Sequence, residues 1–463
     1  MSAPDVDESM IDALRKSGTL NHCTFLLGAG ASVSSGLPDW DTFAVRLLAN
    51  SGALTAEVTA RQLLSKQDPM LVVEAARTKS GEKWDTNLKA ALYWGNPNLD
   101  PSPLHLAVAA HILSTKDVNA SVSTLNFDDV LERTLNSEVP SIARSVFDGD
   151  KTEAKIDVMH LHGLITPERT ENVILTLTDF TEIIAKADSW QSSYISEALQ
   201  NGALLIAGTS YRDPDLRQWL RLALSSKPEG HSVIVILARQ GFQLSREDFE
   251  ALQGTLSEQW KAIGVEPLLV QDHTDAAQLI NEIRFIHEPG YLSPQQRAAT
   301  IWQTHKENFE EWQTEYVSKL RENASELKQT LSVTNLSLTL WLSNGKSQLA
   351  RWAAHDRHYL SADTLRLVST GHDSHWIAGQ ALGNDTLLLK ELEQNSSGRW
   401  TSVLAIPIPV GHPRFSTVSV AVLTIGLPKT TAEIEDSRML WGNYLSTAAD
   451  DWGTLLSRNA FGQ

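Results

Sequence analysis

Cysteine is almost absent: Cys23 is the only one in 463 residues, so the chain holds neither an internal disulfide nor a four-cysteine zinc site. Long apolar runs are missing as well. No stretch approaches the roughly 18 residues that cross a bilayer as a helix, and no membrane role is expected. Lysine and arginine are outnumbered, 39 against 56 aspartates and glutamates, for a formal net charge of −17. They never gather into a basic run. Such a field repels phosphate backbones and argues against direct nucleic-acid binding. Low-complexity tracts and internal repeats are lacking too. The first residues, MSAPDVDESMIDALRKSG, are polar and acidic where a leader would be apolar, which makes the cytoplasm the expected location.

Short apolar runs alternate with helical patterns from about residue 20 to 285. The strand-like runs are CTFLLG (23–28), ASVSTLN (120–126), IDVMHLHG (156–163), NVILTL (172–177), ALLIAG (203–208), HSVIVILA (231–238) and EPLLVQ (266–271). This alternation predicts an α/β, Rossmann-like, doubly wound and mostly parallel sheet. Residues 41–118 carry no convincing strand and are expected to form a helical insertion over the ligand edge of the sheet. From 293 to 331 the charges intersperse with Ile301, Trp302, Phe309, Trp312, Tyr316, Val317 and Leu320 at helical spacing, predicting a connector helix that packs on something. Six strand-like runs and a last helix follow. The expected organisation is an N-terminal segment (1–19), a nucleotide-binding domain (20–287), the connector (288–330) and a C-terminal α+β domain (331–463).

The segment FLLGAGASVSSGLPDW places Gly28 and Gly30 where the first strand hands over to a helix. Without side chains they let the backbone turn tightly and approach a pyrophosphate, and Ala31, Ser32 and Ser34 bring small groups to a helix start. The spacing is not G-x-G-x-x-G, and no acidic residue closes a second strand about 20 residues later, so a plain Rossmann dehydrogenase fits poorly. A tight turn without a ligand is the alternative for this element alone. Three more elements follow in order, each at the end of a predicted strand: STLNFDDVLE (123–132), HLHG (160–163) and GTSYRDP (208–214).

Together these four elements resemble the sirtuin signature. The resemblance implies that NAD is the substrate, with no cofactor besides it. It places Gly28, Ala29, Gly30, Ala31, Ser32, Pro38, Asp39 and Trp40 in the first cofactor loop, and Gly208, Thr209 and Ser210 on the adenosine-side ribose and phosphate. Asn126 is implied to reach the nicotinamide ribose or orient the attacking water, Asp128 to bond near the same pocket, and His162 to act as general base. Asp213 and Pro214 look like the cap and first turn of the next helix. Taken singly, Asn126 also reads as a helix cap, Asp128 and Asp129 as first-turn acids favouring the dipole, and His162 as a packing residue. His160 reads as structural.

Deacetylating sirtuins carry a zinc module on four cysteines, and their first motif continues with an aromatic residue and an arginine. Here the sequence reads Pro38-Asp39-Trp40-Asp41, with one cysteine in all. The chain is similar instead to zinc-free sirtuin-like domains of bacterial antiphage effectors, which implies NAD hydrolysis, no zinc, and control by assembly or by an activating partner such as an ATPase or a nucleic-acid sensor. A non-catalytic NAD sensor and an ADP-ribosyltransferase are the alternatives. Residues 331–460 resemble a GAF domain, implying sensing or homo-oligomer formation, with Leu404, Ile406, Ile408, Val418, Val420 and Val422 alternating as in a sheet with one covered face. His355, His358, His372, His375 and His412 read as solvated loop histidines rather than a metal site. Trp341, Trp352, Trp376 and Trp400 read as core or interface residues before a ligand pocket.

Overall fold

The computed structural model describes residues 5–96, 99–114, 119–150, 152–185, 189–209, 214–392 and 399–462. It divides into two compact units, residues 13–269, and residues 1–12 with 270–463.

The first unit is built on β1 (Cys23–Leu27), β2 (Ala120–Thr124), β3 (Ala143–Val146), β4 (Ile156–His160), a small hairpin of β5 (Leu164–Ile165) and β6 (Thr170–Glu171), β7 (Ala203–Ala207), β8 (Val233–Ala238) and β9 (Val265–Val270). Apart from the hairpin these form one seven-stranded sheet in the order β3-β4-β2-β1-β7-β8-β9. β1 pairs in parallel with β2 on one side and β7 on the other. Every residue of β1, β7 and β8 is buried, as a sheet covered by helices on both faces requires. The expected Rossmann-like α/β core is therefore present. After β1 the chain builds the β2, β3 and β4 side, then returns to place β7 on the free edge of β1. The carboxyl ends of β1 and β7 are thus the topological switch point, where open α/β sheets bind ligands.

Described residues between 41 and 114 contain helices and no strand, as expected of an insertion. The helices Trp40–Ser51, Pro69–Ser80 and Trp84–Tyr93 gather Phe43, Leu47, Val73, Leu88 and Leu92 into a core of their own. Ile165 and Leu175 enter that core, and Phe127 packs against it. The insertion is thereby fastened to segments that leave β2 and β4.

Two sequence expectations fail here. NVILTL forms no strand. Asn172 turns with a φ of +46°, and Thr176 caps the helix Leu177–Ile184 in a reciprocal box with Asp179, so local capping chemistry outweighs the apolar run. Conversely, β3 was hidden in ARSV, a four-residue edge strand with an exposed arginine.

The second unit carries a six-stranded antiparallel sheet: β10 (Ser337–Ser343), β11 (Gln348–Ala354), β12 (Leu367–Ser369), β13 (Leu388–Glu391), β14 (Ser402–Val410) and β15 (Val418–Leu427), in the order β12-β11-β10-β15-β14-β13. With its helices it is an α+β unit. The expected single covered face is incorrect for the centre of the sheet: all residues of β15 are buried. Val418, Val420 and Ile425 join the large core with Tyr316, Leu320, Trp441 and Trp452. Val422 faces a second cluster with Ala378, Ala381 and Leu382 of the helix Ile377–Asn384. The expected connector is two helices, Pro294–Glu307 and Phe309–Thr330. Asn308 separates them, leaving helical geometry and donating its side-chain N–H to the Thr304 carbonyl at 2.8 Å, the local competition that makes asparagine a helix breaker.

Candidate active site

At the switch point two glycine turns meet backbone to backbone. Gly28 N–H donates to the Ala207 carbonyl at 2.9 Å and Gly30 N–H to the Gly208 carbonyl at 2.7 Å. A Cβ on Gly28 would lie 2.7 Å from the Gly208 oxygen, and one on Gly208 2.8 Å from the Ala31 nitrogen, with Gly208 at a φ of +72°. Glycine is demanded at these positions by contact between the turns. Ala29–Val33 then forms one short helix, with Gly28 as its extended cap and Ala31 and Ser32 buried.

Asn126 reaches across from the end of β2 to this turn. Its Nδ2 donates to the Gly28 carbonyl at 3.0 Å and to Ser32 Oγ at 2.8 Å, so both amide protons are engaged and the side chain is buried. Ser32 also bonds the side chain of Asp128, a buried group whose pKa burial pushes up, with Ser32, the Val130 amide and His160 pulling the other way. Asp129 is pushed up by burial too, against its ion pair with Arg133 at 3.1 Å. Asn126 is therefore more than a helix cap: the following helix, Val130–Glu138, starts four residues later.

His160, fully buried at the end of β4, holds this loop from behind. Nε2 contacts Glu132 Oε1 at 2.6 Å and Nδ1 the Asn126 carbonyl at 3.2 Å, while Ser145 Oγ donates to the same Glu132 oxygen. Burial disfavours charge on both partners, but their attraction prevails: His160 is held above and Glu132 below its ordinary range. The sequence marked His160 as structural; its partners Glu132 and Ser145 were not foreseen.

His162 sits just past the strand. Leu161 N–H bonds the Thr124 carbonyl at 2.9 Å, bringing the segment beside β2. The ring packs between Phe180 at 5.6 Å and Trp219 at 6.1 Å, and Nε2 meets Asp215 Oδ2 at 2.8 Å. Gly163 then turns at a φ of +87° with no room for a Cβ, which would come within 2.2 Å of the Asn172 oxygen. Asp215, fully buried in the first turn of the helix Pro214–Leu224, is the partner of His162 that sequence reasoning missed. Its signal was an acid just after the proline that opens a helix following the second glycine turn.

The remaining expected positions divide. Gly208 and Thr209 lie at the switch point, half-buried; Ser210 and Asp213 lie outside the described residues. Asp39 caps the helix Trp40–Ser51, accepting from the Thr42 amide at 2.8 Å, and Trp40 packs on the insertion core, with Pro38 half-buried before them. Ala29 is exposed.

Residues 120–268 match the family model of the SIR2-like domain. The match opens at β2 and closes within β9, so it contains Asn126, Asp128, His162 and Gly208, while the Gly28–Gly30 turn lies ahead of it. No curated protein matches the chain. Among solved structures, a Sir2 homolog–NAD complex is similar at 14% identity over 60% of this chain and 94% of its own, with a TM-score of 0.35. A structure described as the structural basis for the mechanism and regulation of Sir2 enzymes is similar at 14% identity over 60% and 97%, with a TM-score of 0.31. Two surface hollows, of about 250 Å³ beside Trp302 and Lys346 and about 460 Å³ beside Gly52 and Lys79, include none of the candidate site residues.

Among the described residues no group of three His, Cys, Asp or Glu side chains is placed to hold a metal ion. In the second unit His355 bonds the Leu338 amide at 3.1 Å, and His412 stacks on Phe415 at 4.5 Å. His372 pairs with the buried Asp272 carboxylate, which corrects its reading as a solvated histidine. Trp352 is a core residue and Trp341 donates to Thr424 Oγ1 at 2.9 Å, so both serve packing.

Proposed function

We propose that the SIR2-like domain binds NAD at the β1/β7 switch point and hydrolyses its N-glycosidic bond. The match over residues 120–268 supports an NAD-utilising enzyme. The observation that carries the finer reading is the hydrogen bonding of Asn126 onto the Gly28–Ser32 turn, with His162 emerging from the neighbouring strand. Nicotinamide leaves a cationic ring as a neutral molecule, so the site needs little acid catalysis. It needs a held ribose and a directed nucleophile.

In this reading the glycine turns, with Ser32, Asp128, Thr209 and Ser210, hold the dinucleotide. Asn126 orients a water, whose oxygen bonds to the ribose carbon as the glycosidic electron pair leaves with nicotinamide. The water's proton passes to His162 and then to solvent, giving ADP-ribose, nicotinamide and a proton. Deacetylation does not fit a chain with one cysteine and no four-cysteine module. The resemblance to antiphage effectors extends the proposal: the cleavage depletes NAD, and residues 331–463 act as a GAF-like sensing or oligomerisation domain linked through 288–330.

The second reading, an NAD sensor without turnover, draws on one observation: both Asn126 amide protons are already satisfied within the protein. Incubation of the full chain with NAD separates the readings. Hydrolysis releases nicotinamide and free ADP-ribose, a transferase leaves labelled protein, and a sensor binds NAD unchanged.

A further inference from the structure

His162 is 4% exposed, enclosed by the aromatic rings of Phe180 and Trp219. Asp215 is in contact with the ring, its Oδ2 2.8 Å from Nε2. Its other oxygen, Oδ1, accepts the Leu216 amide at 2.8 Å, which fixes the carboxylate in the first turn of the helix Pro214–Leu224. That position favours the anion, since the N-terminal end of a helix is positive and a hydrogen bond to a charged oxygen is a strong one.

A carboxylate only accepts. The ring nitrogen facing it must therefore carry the proton, and the basic lone pair of the neutral imidazole then lies on Nδ1. We propose that Asp215 is a positioning residue of the site, holding His162 in the Nε2–H form and stabilising the imidazolium produced when Nδ1 gains a proton. This rests on the reading of His162 as the base. It ties that base to the helix following the Gly208–Thr209 turn, so the group that takes the proton and the turn assigned to the dinucleotide share one element's placement.

The test uses the full chain with ¹⁵N-labelled histidine, the His162 signals being assigned by their loss in His162→Gln. In wild type, neutral His162 is expected to be protonated at Nε2. In Asp215→Asn, which keeps size and shape, its titration midpoint is expected to fall by about one unit or more, the effect of removing an opposite charge at contact distance. Nicotinamide release, measured across pH, is expected to lose about 10- to 100-fold in kcat with a smaller change in KM, its acidic limb moving to lower pH with the His162 titration. Asp215→Glu, which keeps the charge, is expected to recover part of the loss. A wild-type ring protonated at Nδ1 when neutral overturns the proposal without any variant, and so does an unchanged His162 titration in a folded Asp215→Asn. Absence of nicotinamide release from wild type would refute the hydrolase reading instead, and the titration would still decide the pairing.

Discussion

His160 donates from both ring nitrogens, to Glu132 and to the Asn126 carbonyl, and only an imidazolium does both. Its value is raised, so its contribution to stability is complete below the ordinary histidine pKa of about 6.5 and is lost as pH climbs through the raised value. Glu132 is held low, so its contribution is present above the ordinary carboxylate range and is lost as pH falls through the depressed value. The pair therefore supports the fold between those limits. Glu132→Gln is expected to cost about 3 kcal/mol near neutrality, because it leaves a buried imidazole without its partner. It is also expected to flatten the loss of stability on the alkaline side. Urea unfolding between pH 6 and 9 checks both, and an unaltered alkaline slope would assign that slope to another group. At Asn126 the demands differ: Asn126→Ala removes two hydrogen bonds to the first turn, a cost of about 1–2 kcal/mol. The variant stays folded in the same unfolding assay while NAD cleavage falls about 100-fold or more.

Among elements, the glycine turns set the geometry. Gly208→Ala puts a Cβ 2.8 Å from the Ala31 nitrogen at a left-handed φ, and about 1–3 kcal/mol of strain is expected, together with weaker NAD binding by calorimetry. Gly163→Ala strikes the Asn172 carbonyl. It should lower the melting temperature more than Gly36→Ala, where a Cβ meets nothing but φ is also positive. Strands β1, β2, β4, β7, β8 and β9 were legible because each is a short apolar run ended by glycine or a polar turn. The positions of the candidate residues Gly28, Asn126 and His162 just past strand ends were legible for the same reason, since they follow those strands. What sequence could not give was contact across the fold. Asp215 lies 53 positions from His162, and Glu132 28 from His160; no local pattern links either pair. Likewise Thr176 belongs to a helix start that only its reciprocal bond with Asp179 reveals, and the second covered face of β15 depends on a helix near residue 380.

The whole molecule joins an α/β unit, whose residues 120–268 match the SIR2-like domain, and an antiparallel α+β unit on one acidic chain. Asn126, Asp128 and His162 are each buried, and Asn126 and His162 bond within the protein, so slow cleavage of NAD is expected of the isolated chain and faster cleavage on assembly or partner binding. Specific activity that rises with protein concentration, in step with a change in mass by light scattering, would support control by self-association; a constant specific activity would place the control elsewhere. Nicotinamide release from NAD by the full chain and by Asn126→Ala, followed at several protein concentrations, decides whether this site cleaves NAD. Wild type is expected to release nicotinamide with ADP-ribose, and the folded variant to lose that release. NAD cleavage undiminished in Asn126→Ala would contradict that expectation.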